Sequence, residues 1–160
     1  MHRASDIWYN RRMIATHIVL GADHGGFLLK KHLIDWLNTQ YPTVPLTDAG
    51  THSADRVDYP TIAATVCDTL QATTDAVGIL VCGSGIGMSM AANRYPSIRA
   101  AVVTDALSAH LSRAHNNANV LCLGERLTTP LVAEGIVTTW LTTPFDGDRH
   151  QKRIQLFSSE

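Results

Sequence analysis

The stretch Val77-Gly78-Ile79-Leu80-Val81-Cys82-Gly83-Ser84-Gly85-Ile86-Gly87-Met88-Ser89 decides the fold. It opens as an uncharged apolar run, the signature of a strand buried on both faces. It breaks at Gly83, Gly85 and Gly87 and resumes as a helical pattern through Met88, Met90, Ala91 and Ala92. A strand, a glycine-rich turn and a helix turn successive backbone N–H groups toward one spot at a helix N-terminus, where an anion is stabilised. Cys82 and Ser84 add a thiol and a hydroxyl to that turn. The G-x-G-x-G spacing is not the G-x-G-x-x-G of a dinucleotide fold, and no Lys follows as in a P-loop. Taken alone, the loop serves equally well for close helix–strand packing with Cys82 as an apolar filler.

Working outward, the same strand-then-helix alternation recurs. His17 to Asp23 reads as a first strand, and Gly25-Gly26 open a helix with an apolar stripe at Phe27, Leu28, Leu33, Ile34 and Leu37. Lys30, Lys31 and Asp35 are expected on its wet side. Val44 to Leu46 is a weak second strand, and Pro60 suits the first turn of a second helix. Beyond the central stretch, the pattern predicts a helix over 86–95, a strand over 99–103 and a helix over 105–116 containing Leu107 and Leu111. A strand over 119–123 follows, then a helix from Pro130 whose apolar face includes Leu131, Val132, Ile136, Val137, Trp140 and Leu141. This predicts an α/β fold, a Rossmann-like three-layer sandwich around a five-stranded parallel sheet. In such sheets ligands lie beyond the carboxyl ends of strands, where the strand order reverses. The turns at Asp23-His24-Gly25-Gly26 and Cys82-Gly83-Ser84-Gly85 are therefore expected to face each other across one crevice.

The bulk properties narrow the function. The 160 residues suit a single domain, with 45% hydrophobic and 17% charged residues and a net charge of -1. No basic excess points to nucleic acid, and no apolar run is long enough to span a membrane. Three cysteines without C-x-x-C spacing suit free thiols in a reducing compartment, so a cytoplasmic location is expected. Residues 1–13 carry Arg3, Arg11 and Arg12 without an apolar segment and read as an extension, with the domain at 14–160.

Several side chains stand where chemistry is possible. Asp23 and His24 follow directly on a strand, although an acid there also complements a helix dipole. His115 ends a helix, where the dipole favours it. As an imidazole expected at the mouth of the sheet, it could equally move protons. Arg149 and Arg153, four apart, share one face if the tail is helical and suit a phosphate, as does a plain solvated basic face. Arg126 follows the fifth strand. If partly deprotonated by the loop N–H groups and the helix dipole, Cys82 becomes a base or nucleophile, with Ser84 able to donate to a developing oxyanion. The dispersed histidines lack H-E-x-x-H spacing, so no metal is expected. This set suits proton abstraction beside the carbonyl of a phosphorylated sugar, with no cofactor.

The chain resembles the ribose-5-phosphate isomerase B family, which also takes in galactose-6-phosphate and allose-6-phosphate isomerases. The resemblance is carried by Gly21-Ala22-Asp23-His24-Gly25-Gly26-Phe27, Asp58-Tyr59-Pro60, Cys82-Gly83-Ser84-Gly85-Ile86-Gly87, Ala91-Ala92-Asn93, Leu111-Ser112-Arg113-Ala114-His115-Asn116, Asn119-Val120 through Gly124-Glu125-Arg126, and Arg149-His150-Gln151-Lys152-Arg153. It implies a homodimer or homotetramer whose active sites are shared between subunits. It further implies ring opening and then proton transfer between C1 and C2 through a cis-enediolate. On this resemblance Cys82 matches the base, Ser84 assists proton movement and His115 opens the ring. Asn116 holds substrate, Gly83, Gly85, Ile86 and Gly87 bind the enediolate, and Asp23 binds sugar hydroxyls. His24, Arg149 and Arg153 match the phosphate contacts, with Arg126 in addition. The expected activity is interconversion of ribose 5-phosphate and ribulose 5-phosphate. The rivals are the same chemistry on a hexose or tetrose phosphate, and a phosphosugar-binding regulatory module without turnover. A nucleotide-dependent oxidoreductase fits less well, because the dinucleotide spacing is missing.

Overall fold

The computed structural model describes residues 13–158, so most of the predicted extension at 1–13 lies outside the described residues. Five strands alternate with helices: β1 (His17–Ala22), α1 (Phe27–Gln40), β2 (Leu46–Asp48), α2 (Tyr59–Gln71), β3 (Ala76–Cys82), α3 (Ile86–Ala92), β4 (Ala100–Val102), α4 (Ala106–Ala114), β5 (Val120–Gly124), α5 (Pro130–Thr142) and α6 (Asp148–Ser158). All strand pairs are parallel, in the order β2-β1-β3-β5-β4. The predicted α/β sandwich with a five-stranded parallel sheet is the fold this chain adopts. The sheet also fixes the order of the last two strands, which the sequence pattern left open.

Side-chain alternation along the strands splits the core into two layers. Ile18, Leu20, Val77, Ile79, Val81, Leu121 and Leu123 pack on one face with Leu29, Leu33 and Leu37 of α1, Ala109 of α4, and Ile136, Val137 and Trp140 of α5. Val19, Leu80, Cys82, Val120 and Cys122 face the other way, onto Ile62, Val66 and Leu70 of α2 and Met88 and Ala92 of α3. Burying these layers supplies the main stabilisation, at about 25 cal/mol per Å² of apolar surface. The chain leaves β1 toward β2, then returns past β1 to β3 and continues to the opposite side. The order therefore reverses between β1 and β3, and their carboxyl ends border the crevice.

Four local expectations are corrected. Lys30, expected in water, is 1% exposed, and its ammonium contacts the Asp48 carboxylate and donates to the Thr51 carbonyl oxygen at 2.8 Å. Leu28, expected in the core stripe, is 67% exposed. Leu107 and Leu111 of α4 and Leu131 and Val132 of α5 are exposed as well. Strand β2 begins at Leu46 rather than Val44, because Pro45 has no N–H for the ladder and offers only its carbonyl, to Ile18. Helix α3 stops at Ala92 rather than Tyr95. The Asn93 side chain there exchanges two hydrogen bonds with the Ala100 backbone, at 2.8 and 2.9 Å, and draws the chain toward β4.

Candidate active site

The crevice is built from the turns after β1, β3 and β5. Gly26 lies so close to β3 that a Cβ there would meet the Val81 carbonyl at 2.5 Å, and this close approach brings the 23–26 turn against the glycine loop. Asp23 is buried, and its Oδ1 accepts the Gly25 N–H at 2.9 Å. His24 is exposed, with Nδ1 engaged by the Val57 backbone at 3.2 Å to the carbonyl oxygen. In the facing loop Cys82 is buried, and its Sγ accepts the Gly85 N–H at 3.1 Å. Gly85 takes φ 77°, a left-handed conformation that favours glycine, and this turn lets α3 start directly on the loop. Ser84 Oγ accepts the Ile86 N–H at 3.3 Å.

The other two cysteines are set apart from this chemistry. Burial, followed by the nearby Asp68 charge, raises the Cys67 thiol to about 11. Burial also pushes Cys122 far above the usual thiol range, with Cys82 and Cys67 adding to the effect.

Two neighbours complete this half. Glu125 N–H donates to the Cys82 carbonyl at 2.9 Å, and Arg126 N–H donates to the Gly83 carbonyl at 3.1 Å. These bonds hold the Arg126 guanidinium over Gly83, where a Cβ would stand 3.2 Å from Arg126 Cζ. The Tyr59 ring covers Gly87 in the same manner, with a Cβ there 2.9 Å from Tyr59 Cζ. Tyr59 and Glu125 belong to this crevice although sequence reasoning gave them no role. Their only signal was membership of the Asp58-Tyr59-Pro60 and Gly124-Glu125-Arg126 stretches.

The remaining predicted residues lie elsewhere. His115 and Asn116 end α4 and precede the loop into β5. Asn119, next along, accepts the Gly78 N–H and donates to the Arg99 carbonyl, so this loop sits at the amino end of the sheet. Cys82 pairs with Gly124 at the carboxyl end. Five strand steps separate Asn119 from Gly124, about 16 Å at 3.3 Å per step. The expectation that His115 stands at the sheet's mouth is therefore corrected, since a helix following a strand returns its own end to the opposite edge.

A second group gathers at that amino end. Asp146 N–H donates to the Ala114 carbonyl at 2.9 Å, which docks the tail onto α4. The His150 ring stacks on His115, with centroids 4.2 Å apart and planes within 8°. Helix α6 carries Arg149 and Arg153 exposed and His150 and Ile154 buried. A cavity of about 590 Å³ opens beside this group, lined by Tyr95, Arg99, Ser112, Asn116 and Phe157 among others. Arg99 is tied by its Nε–H to the Asn117 carbonyl at 2.9 Å, as a structural arginine.

Comparison with known proteins agrees with this architecture. Residues 18–157 match the family model described as Ribose/Galactose Isomerase. Ribose-5-phosphate isomerase B of Escherichia coli is 40% identical over 142 residues, covering 89% of this chain and 94% of that one. The type B ribose 5-phosphate isomerase of Trypanosoma brucei superposes with a TM-score of 0.84 at 44% identity, over 90% of this chain and 97% of that one. The Mycoplasma genitalium ribose-5-phosphate isomerase B, solved with bound ribulose-5-phosphate, gives a TM-score of 0.84 at 38% identity, over 89% and 93%. A match over nearly the whole described chain, in sequence and in fold alike, means that this chain belongs to the ribose/galactose isomerase family of sugar-phosphate isomerases.

Proposed function

We propose that this chain interconverts ribose 5-phosphate and ribulose 5-phosphate, with Cys82 as the base and with each active site completed by a second copy of the chain. The observation that carries this reading is the Cys82 thiol, held in the crevice by the Gly85 N–H at 3.1 Å. The same glycine loop carries the N–H groups that would meet an enediolate. The reading is supported by the relatives' shared name and by the ribulose-5-phosphate bound in the Mycoplasma genitalium structure.

The reaction proceeds in balanced steps. The furanose opens as the C1–O4 bond breaks, with a proton supplied to O4 by His115 and the C1 hydroxyl proton released. Cys82 removes the C2 proton of the open aldehyde, and the electron pair forms a cis-enediolate. Backbone N–H groups of 83–87 and the Ser84 hydroxyl hold its oxygens. Cys82 returns the proton to C1 while the O2 proton passes to O1, leaving the ketone. Asp23 holds sugar hydroxyls, and Asn116 holds the open chain. His24 and Arg126 meet the phosphate from one subunit, and Arg149 and Arg153 from the other.

Within one chain the base and the ring-opening histidine stand at opposite ends of the sheet, which is the reason for invoking a second copy. Helix α3 offers a means. It runs from the crevice toward the amino end, with Ile86 and Met90 exposed at 48% and 67% one turn apart. Antiparallel pairing of α3 with its copy buries both residues and brings each glycine loop to the partner's 590 Å³ cavity. A homodimer or a dimer of dimers follows. The three free cysteines suit reducing cytoplasm.

Subunit mixing tests both the base and the sharing. Cys82→Ala and His115→Asn chains are each expected to be inactive. Refolded together in equal amounts, they should recover about a quarter of wild-type activity, since half the dimers are mixed and each mixed dimer holds one intact site. No recovery would refute the shared site, and an active Cys82→Ala enzyme would refute the base. Galactose 6-phosphate and allose 6-phosphate run alongside would show whether the chain prefers a longer sugar.

A further inference from the structure

We infer that His150 is a positioning residue for His115, fixing its ring by stacking and linking it to the helix that carries Arg149 and Arg153. This rests on the proposed role of His115 in ring opening. His150 is 7% exposed, and its ring is stacked flat on the half-exposed His115 ring at 4.2 Å and 8°. Such a contact removes rotational freedom from an imidazole that must deliver a proton along one direction, where small misplacements are costly. The Asp146 carboxylate stands 4.0 Å from His115 Nε2, too far for a hydrogen bond, so the stack and not an ion-pair contact orients the ring.

The helix explains why the stack bears on the substrate. In α6, Arg149 and Arg153 lie one turn apart on the exposed side, while His150 and Ile154 lie one turn apart on the buried side. A phosphate gripped by the two arginines therefore fixes the helix that presses His150 onto His115. Burial first, and then the His115, Arg149 and Arg153 charges, hold His150 below the ordinary histidine value, with Asp146 opposing them. The same stacked geometry, centroids 4.2 Å apart, is what disfavours a second proton on the His150 ring.

A metal site is the competing reading of this cluster, since one ligand atom each from His115, Asp146 and His150 lie within 4.8 Å of one another. Imidazole lone pairs lie in the ring plane. Two nearly parallel, stacked ring planes with centroids 4.2 Å apart share no in-plane position for one ion, and two guanidiniums stand close by. The geometry is that of a stack.

Ring opening can be separated from enediolate chemistry because ribulose 5-phosphate, with O5 phosphorylated, has no furanose to open. Solvent deuterium entering its C1 reports proton abstraction alone. In the intact oligomer, His150→Ala should lower kcat for ribose 5-phosphate by about tenfold or more, leave deuterium uptake within about twofold, and alter the pH profile of kcat. His150→Phe, which keeps the stack without a titrating nitrogen, should restore most of the rate. Equal loss of turnover and exchange would indicate general structural damage and overturn the inference. So would an unimpaired His150→Ala enzyme, or a His150→Phe enzyme as slow as His150→Ala. A wild-type enzyme that turns over neither pentose phosphate would instead refute the proposed reaction.

Discussion

Lys30 is a cation in a helix face that packs against the sheet, and its burial depends on one partner. Asp48 accepts from the ammonium and also from the Gly50 N–H at 2.9 Å. Burial by itself raises the Asp48 carboxyl. The Lys30 hydrogen bond, the Gly50 N–H and the Lys30 and His52 charges outweigh it and hold the group below the ordinary value of 3.8. The unfolded chain therefore takes up this proton first as pH falls. The stabilisation is complete above pH 3.8 and is lost below it, down through the lowered folded value. Asp48→Asn should cost roughly 3 kcal/mol at neutral pH, toward the low end for a broken buried pair because Asp48 keeps some solvent. Lys30→Met should cost less, since it leaves no buried charge behind. Urea midpoints against pH check both, and the Asp48→Asn curve should lose its acid limb. A sequence pattern has no means to find this pair, because periodicity assigns a lysine to water and the counter-ion lies 18 residues away on another element. Cys82, Asp23 and the glycine loop were legible for the opposite reason, since their chemistry and their place at a strand end are adjacent in the chain.

Helix α1 begins on Gly26, which provides no side-chain cap, and its Leu29 N–H is satisfied from a distance by Glu125 Oε2 at 2.8 Å. The carboxylate also faces the positive end of the helix dipole. Because Glu125 is already joined to Cys82 through its backbone, one residue ties the turns after β1, β3 and β5 together. Glu125→Ala should cost about 1 kcal/mol of stability, as loss of a cap does, and raise KM more than it lowers kcat by loosening Asp23 and His24. Glu125→Gln, which keeps an acceptor, should recover most of the binding. Thermal melts and steady-state kinetics on the same preparations distinguish the two. Apart from α6, which the pattern left as a tail, the elements were legible from period and punctuation: apolar runs marked the strands, and proline and glycine marked the ends. The burial of their outer positions was not. Leu28, Leu107, Leu131 and Met90 fit helical stripes yet stand exposed in the single chain, because a stripe in sequence does not say which molecule covers it.

At the scale of the molecule, parallel strands with helices running back between them send the thiol, at the end of β3, and the histidine, at the end of α4, to opposite edges. The predicted alternation already implied the two edges, since Cys82 closes a strand and His115 ends a helix that follows one, but it held no information on what brings the two edges together. Met90→Glu places a charge in the proposed α3 pairing and should yield a folded monomer with activity reduced by about a hundredfold or more, as a like-charge pair across an interface demands. Light scattering and circular dichroism read mass and fold separately, and an active monomer would refute the pairing. The distance between the two edges also governs how the catalyst responds to its own abundance. With the proposed shared site, a subunit alone has a crevice and an imidazole that never meet, so activity per chain should fall on dilution below the dissociation constant while each chain stays folded. Rates then rise with the square of enzyme concentration in that range and become linear only above it. Scarcity itself would act as an off state, without an inhibitor or a modification.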